Sequence, residues 1–183
     1  MERLKSLDSS LSMVAGVRRF PLWSALAPLA LALASLAFGL DQTHKWWMLN
    51  VFGIAERQPV KVTPFFDLIL TWNTGISYGL LRTHQQGFLV ALTLIISVIL
   101  WRWICKSHRV PTVAALAIII GAALSNMTDR IIHGAVADFF HFHIGNFSWY
   151  VFNLADIGIV AGVAILLYES FMGRGAEGSH GNA

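Results

Sequence analysis

Two aspartates, Asp138 and Asp156, lie in apolar stretches of this 183-residue chain, with no basic residue beside either of them. Two carboxylates that meet in a site of low dielectric constant cannot both ionise easily, so they share one proton. The ionised carboxylate can take a proton from water, while the protonated one donates to the carbonyl oxygen of an amide. Such a pair would hydrolyse a peptide bond without a metal ion or a covalent intermediate.

Further polar residues stand near the ends of apolar segments, where ionisable groups are costly and are usually kept for a function. Asp41 and Lys45 have i, i+4 spacing, which places them on one face of a helix. The other members of this set are Asn73, Asn126, Asp129, Arg130 and Asn153. A structural role stays open for Asp41 with Lys45 and for Asp129 with Arg130 as interfacial ion pairs. Asn126 could likewise be an interhelical hydrogen-bonding residue.

Other kinds of catalytic site have weaker support. The chain has no GxSxG nucleophile motif, and its single cysteine has only one histidine close in sequence. His141 and His143 could supply metal ligands, with His133 and Asp138 nearby, because alternate residues of an extended segment point to one side. No HExxH helix accompanies them. We therefore interpret them as solvated or hydrogen-bonded side chains and expect neither a metal nor a cofactor.

The composition identifies the environment in which these residues must be positioned. Hydrophobic residues make up 56% of the chain and charged residues 13%, whereas a soluble domain has about 25% charged residues. Most of the surface must therefore face a lipid bilayer. The net charge is +3, but the basic residues are scattered rather than gathered in a stripe, which argues against a nucleic-acid partner.

Four apolar segments are long enough to cross a bilayer, which takes about 20 residues of helix. They cover residues 22–40, 87–105, 111–128 and 152–171. We therefore expect residues 1–172 to form one membrane domain of the all-α class, built as a bundle of four transmembrane helices. The tail, residues 173–183, has no large apolar residue and is expected to be disordered and cytoplasmic.

Basic residues predict the orientation of this bundle. Eight of the 13 Lys and Arg residues lie on the side that contains both termini. The other five, spread over much longer connections, are Lys45, Arg57, Lys61, Arg82 and Arg130. By the positive-inside rule, the termini are cytoplasmic and the connections 41–86 and 129–151 face outward.

The two outward connections should have structure of their own. Residues 59–81 are rich in β-branched and aromatic residues between prolines and a glycine-containing turn, which predicts a small periplasmic sheet lying on the membrane. The aromatic stretch HFHIGNFSWYVFN, residues 141–153, suits the membrane interface as a re-entrant or interfacial segment. The candidate polar residues all map to this outer end of the bundle.

Five segments of the chain resemble the lipoprotein signal peptidases, also called signal peptidase II, in their order and separations. These segments are DQTHK at 41–45, NTGISYG at 73–79, GAALSNMTDR at 121–130, GAVADFF at 134–140 and FNLAD at 152–156. The resemblance implies that Asp138 and Asp156 are the catalytic aspartates. It assigns substrate binding to Asn73, Asn126, Arg130 and Asn153, and support of the site to Asp41, Lys45 and Asp129. Ser125 departs from the family pattern, which commonly has glycine there.

The same resemblance implies an aspartic endopeptidase of the bacterial inner membrane, with its active site at the periplasmic face. Its substrate would be a diacylglyceryl-modified prolipoprotein, cut on the amino side of the lipidated cysteine. Membrane lipid would surround the enzyme, the cyclic depsipeptide globomycin would inhibit it, and we expect a monomer.

Two other functions follow from the residues alone. A proton-coupled transporter could use the same Asp and Asn cluster, although transporters distribute ionisable groups through the membrane depth or over repeated halves. A haem-binding membrane protein would need paired histidines within its spans, and none of the four predicted spans contains a histidine.

Overall fold

The computed structural model describes residues 23–75 and 85–177. Within these ranges the helices are α1 (Ala27–Trp46), α2 (Ile54–Arg57), α3 (Gln85–Lys106), α4 (Val110–His133) and α5 (Leu154–Glu177), with a π-helical turn at Trp47–Val51. The strands are β1 (Val60–Thr63), β2 (Phe66–Asn73), β3 (Val136–Ile144) and β4 (Phe147–Ser148). The basic residues of the first 22 positions, Arg82 and the end of the NTGISYG motif lie outside the described residues.

Helix α4 forms the centre of the bundle, and its sequence explains both of its ends. Pro111 lies in the first turn, where a missing N–H costs nothing because that group would have no helical partner. Gly134 ends the helix with a φ of 70°, a left-handed conformation that glycine adopts without strain. Between these ends α4 packs against α1, α3 and α5. The span predicted over 111–128 is confirmed as helix and continues to His133.

Small residues allow α1 and α4 to approach closely. A Cβ atom added to Gly121 of α4 would lie 2.1 Å from the carbonyl oxygen of Ala34 in α1. Small residues have this role at the interfaces of membrane helices, where they bring backbones together. The contact fixes the height of α1 against α4, and α1 carries Asp41 and Lys45 near its end.

Three of the described helices are long and apolar enough to cross a membrane: Gln86–Lys106, Val110–His133 and Leu154–Met172. They correspond to the second, third and fourth predicted spans. The first predicted span, residues 22–40, is helical from Ala27 onward. Because α1 continues through the polar residues of the DQTHK segment to Trp46, it is less apolar than the other three long helices.

The predicted sheet is present, with the strand order β1-β2-β3-β4 and antiparallel pairing throughout. Its first two strands lie within the predicted region 59–81. The aromatic stretch at 141–153, expected to be a re-entrant or interfacial segment, contains the end of β3, which continues to Ile144, and the strand β4. Pairing with β2 satisfies the backbone groups of β3, with Phe140 opposite Leu68. Composition alone did not indicate this partner.

An apolar cluster joins the sheet to the end of α1. Met48 in the π-helical turn, Ile54 in α2 and Phe139 in β3 are almost fully buried against one another. Burial of side chains of this size contributes about 1.5–3 kcal/mol each. The cluster therefore anchors β3 where its Asp138 faces the polar end of the bundle.

Helix α5 extends farther than expected. It ends at Glu177, so the first five residues of the predicted disordered tail, residues 173–183, are helical. Extending an existing helix costs much less than nucleating a new one, and no proline interrupts this stretch. Residues 178–183 lie outside the described ranges.

Polar side chains also connect α5 to the start of α4, at one end of the bundle. Glu169 of α5 accepts a hydrogen bond from the hydroxyl of Thr112, and its Oε1 lies 3.8 Å from Arg109 Nε. These contacts lie at the opposite end of α5 from Asp156, which stands in the first turn.

Candidate active site

Asp138 lies near the start of β3 and is almost completely buried, with 1% of its surface exposed. Its Oδ2 accepts a hydrogen bond of 3.0 Å from Asn73 Nδ2, at the end of β2. Its Oδ1 accepts one of 2.6 Å from Asn153 Nδ2, in the residue before α5. Amide donors from two separate segments therefore fix the orientation of this carboxyl group.

Asp156 forms part of the cap of α5. Its Oδ2 accepts a hydrogen bond from the backbone N–H of Asn153 at 3.1 Å, and its own N–H donates to Asn153 Oδ1 at 3.0 Å. This reciprocal arrangement is a capping box, which satisfies two backbone donors at a helix start. The sequence spacing of Asn153 and Asp156 therefore positions a carboxylate at the helix end, with its Oδ1 accepting from Asn126 Nδ2 at 3.1 Å.

The amides of Asn126 and Asn153 connect the two aspartates. Asn153 Nδ2 donates to Asn126 Oδ1 at 3.1 Å as well as to Asp138. Asn126 Nδ2 then donates to Asp156. Asp138 and Asp156 thus belong to one hydrogen-bonded network, although they come from a strand and a helix.

Lys45 stands behind this network and uses all of its hydrogen-bonding capacity there. Its Nζ lies 2.7 Å from Asp41 Oδ2, 2.7 Å from Asp129 Oδ2 and 2.8 Å from Asn126 Oδ1. An ammonium group has three donors and no acceptor, so the amide oxygen of Asn126 must face Lys45. The amide nitrogen of Asn126 is consequently turned toward Asp156.

The two carboxylates beside Lys45 also hold the backbone. Asp41 Oδ1 accepts a hydrogen bond of 2.9 Å from the N–H of Ala155, and Asp129 Oδ2 accepts one of 3.2 Å from the N–H of Ala137. Each alanine directly precedes one of the two candidate catalytic aspartates. The buried ion pairs are therefore connected to the placement of both Asp138 and Asp156.

Two members of the network were not identified from the sequence. Gln42 Nε2 donates to Asp129 Oδ1 at 2.8 Å and to Ser125 Oγ at 3.0 Å. Ser125 Oγ in turn donates to Asp41 Oδ2 at 2.6 Å. The available signal was their position within the DQTHK and GAALSNMTDR segments, one residue from Asp41 and Asn126 respectively. The Ser125 hydroxyl is therefore part of the buried polar network.

Arg130 occupies the last turn of α4 at the edge of this cluster. Its Nη1 donates to the carbonyl oxygen of Asn126 at 3.2 Å. Its Nε is buried and has no hydrogen-bond partner among the described residues. Arg130 therefore keeps a donor free for another acceptor. It does not form the interfacial ion pair with Asp129 that their adjacent positions in the sequence had left open.

The electrostatics of Asp138 suit proton transfer. Its pKa is raised to about 6, chiefly by burial, and the negative charge of Asp156 adds to this rise. The hydrogen bonds from Asn73 and Asn153 oppose it, because they favour the ionised form. A carboxyl group with a pKa near neutrality can hold and release a proton at ordinary pH, as an acid or base catalyst must.

The histidine cluster lies apart from this network. His141 and His143 bring their rings together, with centroids 5.3 Å apart. The carboxylate beside them is Asp67 of β2, whereas the sequence had suggested Asp138. His133 instead packs its ring against a tryptophan of β2.

Comparison with known proteins places this arrangement in a family. A family model described as Signal peptidase (SPase) II matches residues 33–172, which include all nine predicted site residues. The chain belongs to the signal peptidase II family. The resemblance recognised in the five sequence segments is thereby confirmed.

Individual relatives agree with this result. A lipoprotein signal peptidase of Methylocella silvestris is 50% identical over 148 residues, which cover 79% of this chain and 86% of that protein. One from Beijerinckia indica subsp. indica is 51% identical over 141 residues, or 75% and 84% of the two chains. A bacterial membrane enzyme solved by the in meso method at 2.3 Å resolution has the same fold. Its TM-score is 0.68 at 24% identity, over 79% of this chain and 88% of that one.

Membership in the signal peptidase II family decides between the peptidase and the transporter, the two functions that the residues left open for the Asp and Asn cluster. The family is one of membrane aspartic peptidases, and no comparison supports the proton-coupled transporter. The buried Asp and Asn cluster is accordingly considered as a hydrolytic site.

Proposed function

We propose that this chain removes the signal peptide from diacylglyceryl-modified prolipoproteins, cutting on the amino side of the lipidated cysteine, with Asp138 and Asp156 as its catalytic residues. The observation that carries this proposal is the network in which Asn153 and Asn126 connect the two carboxylates. Family membership supports the class of reaction and of substrate. The raised pKa of Asp138 supports its role in proton transfer.

In the proposed reaction the two aspartates share one proton. The ionised carboxylate takes a proton from water as the water oxygen attacks the scissile carbonyl carbon, and the protonated carboxyl group donates to the carbonyl oxygen. The tetrahedral intermediate then collapses: the carboxyl group that took the proton from water gives it to the departing nitrogen, the C–N bond breaks, and the other carboxylate takes a proton back from a hydroxyl of the intermediate. The network from Lys45 through Asn126 holds the carboxylates in place throughout.

The other candidate residues divide into two groups. Asn73 and Arg130 border the carboxylates and have donors suited to peptide carbonyl oxygens, and the unpartnered Nε of Arg130 supports substrate binding. Asn126 and Asn153 donate to the catalytic carboxylates, so we assign them a positioning role in addition to the substrate contacts that the resemblance implies. Lys45, with Asp41 and Asp129, supports the site.

We also propose how the chain lies in its membrane. Helix α1 crosses as a fourth span beside the three apolar helices, both termini are in the cytoplasm, and the site faces the periplasm across the inner membrane. The large apolar residues exposed on α3 and α5 support burial in lipid. A substrate whose acyl chains lie in the outer leaflet would reach this end of the bundle directly. The enzyme acts as a monomer and is inhibited by globomycin.

The test of this function uses the purified full-length protein in detergent with a synthetic diacylglyceryl-modified prolipoprotein. We expect release of the signal peptide, cleavage directly before the modified cysteine, and inhibition by globomycin. The matched control substrate has the same sequence with an unmodified cysteine. Equal cleavage of both substrates, or cleavage elsewhere in the peptide, would contradict the proposed specificity.

A further inference from the structure

Three potential metal ligands meet on the sheet, away from the carboxylate network. Asp67 of β2 and His141 and His143 of β3 each offer one ligand atom, and these atoms all lie within 4.8 Å of one another. Asp67 stands directly opposite His141 in the pairing of β2 with β3. His141 and His143 are two residues apart on a strand, so their rings project from the same face.

The backbone around this cluster is already held in place. The N–H of His143 donates to the carbonyl oxygen of Phe65 at 3.0 Å, and β2 and β3 pair over Phe66 to Leu68. His141 Nε2 forms a hydrogen bond with Ser148 Oγ, whereas the side-chain atoms of Asp67 and His143 are less well satisfied. Asp67 Oδ1 is buried without a hydrogen-bond partner among the described residues. His143 Nε2 lies 3.0 Å from Asp67 Oδ2, but in a geometry that makes no hydrogen bond.

We propose that Asp67, His141 and His143 bind one Zn²⁺ ion. Two imidazole nitrogens and one carboxylate oxygen form a ligand set that Zn²⁺ accepts in tetrahedral geometry, with water as the fourth ligand. Ligand atoms of a tetrahedral zinc ion lie about 3.3 Å apart, given bonds of about 2.0–2.1 Å. Asp67 and His143 already meet this separation, and rotation of the His141 side chain would complete the set.

The surroundings favour zinc over magnesium or calcium. Those ions need several oxygen ligands, whereas this cluster supplies a single carboxylate. Lys61 of β1 is exposed and stands opposite Asp67 on its other side, which further weakens a site that depends on one negative charge. Imidazole nitrogens are ligands that suit Zn²⁺.

The zinc ion would join β2 to β3 near the end of the sheet that is remote from Asn73 and Asp138. In the paired strands, Asp67 lies six positions before Asn73, and His141 lies three after Asp138. A cross-link at this point would stabilise the sheet that carries both residues, because an ion that binds only the folded state raises its stability. The role is structural and does not depend on the proposed peptidase function.

The experiment titrates Zn²⁺ into the full-length protein, freed of any histidine tag and of metal, while the melting temperature is followed. We expect a saturable rise at one Zn²⁺ per chain and no such rise with Mg²⁺. Co²⁺, added alone, should give the visible absorption of a tetrahedral site. The double variant His141→Gln with His143→Gln, and Asp67→Asn separately, should weaken Zn²⁺ binding at least tenfold. The matched control His108→Gln should bind as the parent does.

Each result decides the question. No saturable response in the parent, or unchanged affinity in both sets of variants, would overturn the proposal. If the double variant fails to fold, Asp67→Asn and the Co²⁺ spectrum of the parent still give the answer. The variant Asp138→Asn separates this site from the catalytic one, since it should lose cleavage and keep Zn²⁺ binding. Loss of Zn²⁺ binding in Asp138→Asn would place the ion at the catalytic centre instead.

Discussion

At the scale of single residues, each candidate catalytic aspartate depends on a carboxylate that is not itself catalytic. Asp41 holds the N–H before Asp156, and Asp129 holds the N–H before Asp138. Lys45 lies between these two supporting carboxylates and forms an ion pair with each of them. The positions of the reacting groups are therefore set by charges buried one layer behind them.

Replacement of Asp138 or Asp156 by Asn tests the proposed pair. Each change removes one of the two titrating groups, so we expect the cleavage rate to fall by about 10²–10⁴-fold. The double variant should lose little more, because residues that act as a unit are not additive. Rates with lipidated substrate, measured on variants that unfold cooperatively and at no lower temperature than the parent, provide the test. A single variant that cleaves at the parental rate would rule out the pair.

The raised pKa of Asp138 predicts a pH dependence of stability. The folded state keeps this proton up to about pH 6, whereas the unfolded state releases it near the ordinary value of 3.8. Between these values the folded state binds more protons, so the free energy of unfolding falls as the pH rises. The total change is at most about 3 kcal/mol.

Denaturation of Asp138→Asn and the parent between pH 4 and 7 checks this sign. The parent should lose stability over this range, and the variant should lack that component. Glu56→Gln, a change at an exposed carboxylate of α2, is the matched control and should behave as the parent does. The predicted direction would be contradicted if the parent became more stable between pH 4 and 6 and Asp138→Asn lacked that increase.

Replacement of Lys45 by Met tests the buried charges. The change keeps the length of the side chain but leaves Asp41 and Asp129 without their cation. Removing one partner of a buried ion pair costs about 3–5 kcal/mol, so both the melting temperature and the cleavage rate should fall. Lys106→Met, at the exposed end of α3, should change stability by no more than about 0.5 kcal/mol. Similar effects of the two substitutions would indicate that Lys45 is only an interfacial anchor.

All nine predicted site residues lie in one network, because the sequence motifs contain them and membrane helices contain few other ionisable groups. Their partners were harder to predict. Asp129 and Arg130 are adjacent, but adjacent residues of a helix do not face each other, and Asp129 pairs with Lys45 of another helix. Gln42 was not singled out, and Ser125 was noted only as a departure from the family pattern, because uncharged polar residues are common in membrane helices.

At the scale of secondary-structure elements, the close contact of α1 with α4 sets the height of the supporting charges. Gly121 allows this contact, since a Cβ there would overlap the backbone of Ala34. A displaced α1 would move Asp41 and Lys45 relative to Asn126 and Asp129 of α4. Activity should therefore be sensitive to the helix interface as well as to the charged residues.

Replacement of Gly121 by Ala tests this interface. We expect a loss of about 1–3 kcal/mol from overpacking, together with reduced cleavage. Gly39→Ala is the matched control, because the space around Gly39 is open within 4 Å. It should be neutral or should stabilise α1 by up to about 1 kcal/mol through helix propensity. A Gly121→Ala protein as stable and active as the Gly39→Ala protein would show that α1 can shift without consequence.

The elements were predictable to different degrees. Long apolar runs identified α3, α4 and α5, because a membrane span needs little information beyond length and hydropathy. The extent of β3 was not predictable, since its aromatic residues suit both a strand and a membrane interface. Pairing with β2, a strand more than 60 residues earlier, sets the extent of β3. The end of α5 was missed because glycine-rich composition weakens a helix without stopping it.

At the scale of the whole molecule, the proposed orientation predicts where reporters are active. Fusions after residue 177 and within 107–109 should both report the cytoplasm. The start of α4 and the end of α5 lie on the same side of the bundle, because Thr112 donates a hydrogen bond to Glu169. Insertions near residues 57–59, between α2 and β1, should report the periplasm. Opposite signals at these two sets of sites would invert the bundle and exclude a periplasmic site.

The ion pair of Asp41 with Lys45 also bears on how the protein is made. The two residues lie one turn apart in α1, whereas Ser125, another partner of Asp41, follows 84 residues later. In the proposed orientation, in which α1 is a fourth span, α1 would enter the bilayer during synthesis before α4 exists, and an isolated charge near its end would oppose that entry. Because Asp41 and Lys45 can neutralise each other within one helix, α1 can be inserted before the rest of the network is available. Under the proposed orientation, the same pair would ease insertion of α1 first and then become part of the folded network.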